Sequence, residues 1–222
     1  MLSETLIDIH DLLYARWGPQ HWWPGESRIE IIVGAILTQN TNWRNVEKAI
    51  GNLKAAEMLS EQRLAEAGVD VLSALIRPAG YYNIKAARLK SFMKWLFDEP
   101  YCGRLEVVEQ MSTDALREAL LGVKGIGRET ADSILLYAFG RCVFVVDAYT
   151  CRVMGRHGLI EAEAGYEQVR ALLEDNLPAD AVLFNEYHAL LVQVGKEHCR
   201  PTARCAGCPL EHLPHDANWP AW

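Results

Sequence analysis

Three groups of residues in this 222-residue chain have types and spacings that can do chemistry. The first is Lys124-Gly125-Ile126-Gly127-Arg128, a two-glycine turn flanked by cations. Backbone N–H groups at a helix N-terminus, with Lys124 and Arg128 beside them, make a seat for a phosphate. Such a seat holds a nucleic-acid backbone without reading its sequence. Taken alone, a G-x-G turn is equally an ordinary connection between two helices. The second is Asp147, the one carboxylate in the apolar stretch Val143-Phe144-Val145-Val146-Asp147-Ala148. It stands where a helix should begin and serves as an N-cap. A carboxylate so placed can also stabilise developing positive charge or activate water. The third is Cys199-x5-Cys205-x2-Cys208, followed by His212 and His215. Three thiolates and a histidine suit zinc, and a site that binds nothing stays open beside that reading.

The elements that must position these groups read as helices. Ser112 or Thr113 can cap an apolar-periodic run through Leu116, Ala119 and Leu120, and Ala131, Ile134, Leu135 and Ala138 repeat at helical spacing beyond the turn. The pair is a helix-hairpin-helix, with Val123 and Ile126 dropping into its seam and Gly125 and Gly127 relieving the turn of Cβ clashes. Earlier, Leu6, Ile9, Leu12, Leu13 and Trp17 form one stripe closed by Gly18-Pro19. Ser27-Arg28-Ile29-Glu30 is a capping-box pattern opening the apolar helix 31–37. Asn42 can cap the helix after the polar run Thr38-Gln39-Asn40-Thr41, and further helical patterns fall at about 60–67, 70–77, 83–97, 165–177 and 179–196, with Pro178 near the first position of the last. Apart from the apolar run 142–146, too short to distinguish strand from buried helix entry, strand-period segments and hairpin dipeptides are lacking. The expected class is all-α.

Half the residues are apolar, enough for one sizeable core or two small ones. The net charge of −7 argues against coating nucleic acid by bulk attraction, so contact must come from a local patch and oriented amides. Glu4, Asp8 and Asp11 interrupt the N-terminal apolar positions, and no run is long enough to cross a bilayer. A cytoplasmic monomer without membrane contact is expected. Its cysteines then read as ligands or core thiols rather than disulfides, with Cys102, Cys142 and Cys151 expected in the core.

The hairpin followed about twenty residues later by a Val-Asp element resembles the helix-hairpin-helix DNA glycosylase superfamily, the endonuclease III relatives. Trp22-Trp23-Pro24, Leu37-Thr38-Gln39-Asn40-Thr41, Arg77-Pro78-Ala79-Gly80-Tyr81-Tyr82-Asn83 and Lys124-Gly125-Ile126-Gly127-Arg128-Glu129-Thr130-Ala131-Asp132 are most similar to its 3-methyladenine DNA glycosylase III branch. The resemblance implies a two-lobed fold, residues 25–138 against 1–24 plus 139–222, with an active-site cleft between the lobes and a cysteine-rich metal or cluster loop at the C-terminal end. It implies double-stranded DNA containing damaged bases as partner, base flipping as the approach, and Asp147 as catalytic carboxylate. It places Trp22, Trp23, Pro24, Trp43 and Glu129 around the base, and Gln39, Asn40, Val123, Lys124, Gly125, Gly127 and Arg128 on the DNA. On residues alone, Trp22 and Trp23 are equally a staple under the first helix, and Gln39 and Asn40 a solvated helix end.

Bifunctional relatives carry a lysine nucleophile in the hairpin's second helix, where this chain has Glu129, and a carboxylate cannot form an imine. The resemblance therefore implies a monofunctional base-excision-repair enzyme that hydrolyses the N-glycosidic bond of alkylated purines, whose cationic rings suit indole faces. An endonuclease III-type glycosylase and abasic-site lyase acting on oxidised pyrimidines is the alternative enzyme, and a non-catalytic DNA-binding module the alternative from another class. The cysteine spacing and its Cys-Pro-Leu ending are similar to a [4Fe–4S] loop with one ligand missing. The expectation is a structural cluster on Cys199, Cys205 and Cys208, its fourth ligand His212, His215 or external, with zinc or no metal as alternatives.

Overall fold

The computed structural model describes residues 2–219. Its order is α1 (Leu2–Trp17), α2 (Arg28–Leu37), α3 (Trp43–Ala55), α4 (Glu61–Glu66), α5 (Val69–Leu75), α6 (Tyr82–Phe97), α7 (Leu105–Glu109), α8 (Thr113–Leu121), α9 (Arg128–Ser133), α10 (Ala148–Arg156), α11 (Tyr166–Asn176) and α12 (Ala181–Glu197). There is no strand among the described residues, so the class is all-α. The chain divides into two compact units, Pro24–Phe139 and the combination of Met1–Trp23 with Gly140–Trp222.

In the central unit, α2 is buried along nearly its whole length, Ile32, Val33, Ile36 and Leu37 being fully enclosed, as its continuous apolar sequence requires. Ser27 caps its start by accepting from the Glu30 N–H. The reciprocal half of the expected capping box is displaced by one residue, for the Glu30 carboxylate accepts from the Glu26 N–H and pairs with Lys54. Arg28 ties three pieces together, donating to the Ala138 carbonyl and, through both terminal nitrogens, to Glu109 on α7. Helix α9 runs on into a π-helical turn, Ile134–Ala138, whose residues are all buried.

Lys85 on α6 is the least expected core residue, at 1 % exposure. Its ammonium donates to the Leu37 carbonyl at 2.8 Å and the Ala79 carbonyl at 2.7 Å. One cation thereby satisfies the C-terminal end of α2 and the short 3₁₀ turn Arg77–Ala79, fixing the starts of the loops that follow both.

In the unit made of the chain ends, α12 packs on α10 and α1. Phe144 meets Phe184 and Tyr187 edge-on at 5.3 and 5.8 Å, and the Tyr187 hydroxyl donates to the Leu6 carbonyl. Gly195 lets α12 approach α10 closely, since a Cβ there would run into the Tyr149 ring. The apolar run 143–146 is fully buried and belongs to neither a helix nor a strand. Pro178 falls short of the first helical position, because Asp180 is the N-cap and accepts from the Val182 N–H. Cys151 is a core thiol as expected, whereas Cys102 and Cys142 are exposed. Cys102 sits at φ +49° in the turn between α6 and α7, and Cys142 stands just outside the buried run.

Burial pushes the Lys85 amine down to about 8, with the neighbouring Arg88 charge adding to the effect. The folded state then holds fewer protons than the unfolded chain between pH 8 and the ordinary lysine value of 10.5, so stability should rise with pH across that window. We expect urea-derived stability to gain about 3 kcal/mol there relative to Lys85→Met, which cannot titrate. At neutral pH the same variant leaves two carbonyls unsatisfied and should be less stable than the parent by about 2 kcal/mol.

Candidate active site

The hairpin joins α8 to α9 within the central unit. Ser112 caps α8, accepting from the Ala115 N–H, and Leu116 and Leu120 are fully buried. Val123 and Ile126 are 5 % and 6 % exposed, so both fill the seam rather than face solvent. Arg117 on α8 forms a bidentate pair with Asp132 on α9, Nε–Oδ1 2.7 Å and Nη2–Oδ2 3.1 Å, and Asp132 is wholly buried. That pair fixes the angle of the hairpin from the side opposite its turn. Only Gly125 has a left-handed backbone, φ +92°, and a Cβ there would also meet the Arg88 side chain. Gly127 is extended, with open space where its Cβ would be. Its missing side chain therefore serves the outside of the turn, where α9 opens without a side-chain cap between the exposed Lys124, Arg128 and Glu129.

Gln39 and Asn40, paired in the sequence reading, point to different uses. The Gln39 amide donates to the Thr130 hydroxyl at 2.8 Å and the Gly125 carbonyl at 3.2 Å, and its oxygen accepts from Arg88. It is a strut between the 38–42 turn and the hairpin. Asn40, at φ +52°, is exposed at the tip of that turn. Asn42 caps α3 through the Asn45 N–H, and Trp43, half-buried, is the first residue of that helix.

In the other unit, Asp147 is the N-cap of α10, extended at φ −131° and ψ −177°. Its Oδ1 accepts from the Thr150 N–H at 2.8 Å and from the Thr150 hydroxyl at 3.1 Å. The second oxygen, Oδ2, lies 3.6 Å from Nε2 of His188 on α12. The carboxylate is 13 % exposed and the imidazole 6 %. Burial alone would raise the Asp147 carboxyl, but His188 and the two Thr150 donors outweigh it and hold it below the ordinary carboxylate value. The group is thus an ionised, nearly enclosed carboxylate with one oxygen committed to the helix. His188 had no signal in the sequence beyond being a lone histidine in an apolar helix.

Trp22 and Trp23, both half-buried, meet edge-on with centroids 5.3 Å apart. The Lys196 ammonium lies 5.8 Å from the Trp22 ring centre, a cation–π contact. Pro24 begins the central unit and is exposed.

Cys199, Cys205 and Cys208 line one cavity with His198, His215 and Glu211. His212 is exposed and not among the lining residues. The loop is anchored from α10: Arg156 donates to the Cys199 sulfur at 3.2 Å and to the carbonyls of Arg200 and Pro201, and Arg152 donates to the Cys199 carbonyl. Burial pushes the Cys208 thiol up, against a hydrogen bond from the Leu210 backbone, with Cys199, Cys205 and Glu211 close enough to add to the rise. Among the described residues no group of three or more His, Cys, Asp or Glu is gathered so as to hold a metal ion. The three thiols that line this cavity are the soft donors that zinc and iron–sulfur clusters take.

Comparison with known proteins follows the same lines. The model of the HhH-GPD superfamily, base excision DNA repair proteins, matches residues 33–179. A protein of Methanocaldococcus jannaschii provisionally described as a DNA repair glycosylase is 47% identical over 212 residues, 95% of this chain and 96% of that one. Endonuclease III of Thermotoga maritima is 30% identical over 183 residues, 82% of this chain and 80% of the relative. Among solved structures, the Helicobacter pylori 3-methyladenine DNA glycosylase MagIII, bound to 1,N6-ethenoadenine, is 29% identical with a TM-score of 0.73, covering 88% of this chain and 97% of its own. A trapped endonuclease III–DNA covalent intermediate, 22% identical, shares the fold with a TM-score of 0.81 over 97% and 96%.

The cap geometry has a measurable consequence. A carboxylate whose folded value is depressed contributes stability above its unfolded value and loses it as pH falls through the folded one. Thr150→Val removes one of its donors. It should cost about 1 kcal/mol at pH 7 and progressively less as pH falls through the folded value, as read by urea unfolding across the acid range.

Proposed function

The chain belongs to the HhH-GPD superfamily of base excision DNA repair proteins, and from that premise we propose that it is a monofunctional DNA glycosylase releasing alkylated purines of the 3-methyladenine type. The observation that carries this reading is Asp147, an ionised carboxylate held by one oxygen in a nearly enclosed setting. Hydrolysis of an N-glycosidic bond builds positive charge on the sugar as the base departs. Fixed negative charge there stabilises that charge without reorganisation, and the same carboxylate can take a proton from the attacking water. The likeness to a 3-methyladenine DNA glycosylase supports the substrate class.

The hairpin supplies the hold on DNA. Backbone amides of the Val123–Arg128 turn and the start of α9, with the Lys124 and Arg128 cations, receive a phosphate, and the open space at Gly127 lets it come close. Asn40 presses into the duplex as the damaged nucleotide is extruded, with Gln39 bracing it. Trp22, Trp23 and Trp43 offer aromatic faces to the base, with Pro24 and Glu129 as further contacts. Lys196 already covers one face of Trp22, so a cationic ring stacks on the other face or on Trp23. Position 129 holds a glutamate, which cannot form the Schiff base that strand cleavage by β-elimination requires.

We further assign Cys199, Cys205 and Cys208 to a [4Fe–4S] cluster with His215, which lines their cavity, as fourth ligand in preference to His212. Such a cluster would hold the loop, since glycoside hydrolysis moves no electrons. No helix among the described residues is long and apolar enough to cross a membrane, and the proposed place of action is the cytoplasm, as a monomer on DNA.

Asp147→Asn keeps the cap but loses the charge. We expect base release from alkylated duplex DNA to fall by about a hundredfold or more, with affinity for an abasic-site duplex within about twofold of the parent. Surviving turnover would remove Asp147 from catalysis. Borohydride treatment during turnover should trap no covalent adduct, and a trapped adduct would assign lyase chemistry to another lysine. Anaerobic protein should carry about four irons with matching sulfide. Zinc in their place, or no metal, would overturn the cluster assignment.

A further inference from the structure

We propose that His188 is a positioning residue for the reaction assigned to Asp147, acting through the carboxylate rather than on the substrate; the inference rests on that assignment. His188 sits in the middle of α12 between residues that are fully or almost fully enclosed, Tyr187 on one side and Ala189, Leu190 and Leu191 on the other. An imidazole in so apolar a stretch is costly to bury and needs a polar use. Its Nε2 faces Asp147 Oδ2 at 3.6 Å.

The two carboxylate oxygens are held by different means. Oδ1 takes two donors from Thr150, both in the first turn of α10. A carboxylate held at one oxygen can still turn about its Cβ–Cγ bond, and the imidazole from a second helix blocks that rotation. At 3.6 Å the contact is longer than a full hydrogen bond. Oδ2 therefore keeps its lone pairs for a water or for the charged sugar, while its direction is set. Helix α12 can deliver the ring because it packs closely on α10, where Gly195 admits the Tyr149 side chain. Losing the ring should leave DNA binding intact and slow the chemical step, because a reacting group misplaced by about 1 Å costs up to about a hundredfold.

The test compares His188→Leu, which keeps bulk without a polar atom, with His188→Gln, whose amide can reach Oδ2. Single-turnover release of methylpurine from alkylated duplex is measured beside affinity for an abasic-site duplex and the thermal midpoint. We expect His188→Leu to lower the rate by about ten- to a hundredfold with affinity within about twofold, and His188→Gln to recover it to within about fivefold of the parent. The inference is overturned if His188→Leu keeps its rate, if rate and affinity fall together with the midpoint, or if glutamine is no better than leucine. Asp147→Asn in the same assay separates the two assignments. A parent that is active and an Asp147→Asn that is not leave the catalytic aspartate standing whatever His188 shows, whereas a parent that releases no base removes both.

Discussion

An ionised carboxylate can remain in a nearly enclosed site only if donors replace the water it gives up, and the unit built from the two chain ends is arranged to meet that condition at Asp147. Thr150 supplies two donors because a helix begins there, and a helix begins there because the buried run 143–146 ends at a residue able to cap it. His188 faces the other oxygen from a helix whose remaining inward residues are apolar. Under the proposed function, the contact that caps α10 is also the one that holds the catalytic charge.

The central unit follows a similar rule with cations. Buried Lys85 closes the end of α2 and the turn Arg77–Ala79, Arg28 gathers α2, α7 and the π-helical turn, and Arg117 locks α8 to α9 through Asp132. Gln39 then joins the 38–42 turn to the hairpin. Each of these residues uses a polar group to satisfy backbone or carboxylate atoms that packing alone would leave bare. The result is a set of loops fixed by side chains from behind, with Asn40, Lys124 and Arg128 left outward. Under the proposed function, these residues meet a polyanion despite a net charge of −7, which needs this kind of local order.

Helix content, the hairpin and the capping roles of Ser27, Asn42, Ser112 and Asp147 were legible in the sequence, because caps and apolar periodicity are local signals. Pairings between distant residues were not. Nothing near position 188 says that its imidazole meets a carboxylate 41 positions earlier in the chain. Lys85 reads as a surface lysine on an amphipathic helix, since its two carbonyl partners come from other elements. Gln39 reads as solvated because its partners lie beyond position 120. Cys102 and Cys142 are small apolar residues by type, and their exposure is decided by turns at either end of α6 and of the buried run. The cysteine loop was found by spacing, while its anchoring by Arg152 and Arg156 became visible only in three dimensions.

We propose that this chain cleaves a glycosidic bond to a damaged purine and leaves the DNA strand whole. Its most direct test is incubation of the purified protein with duplex DNA carrying labelled methylated purines, scoring free base and strand breaks in the same samples. Free 3-methyladenine with unbroken strands is the expected result. Nicked strands with no methylpurine released would contradict it.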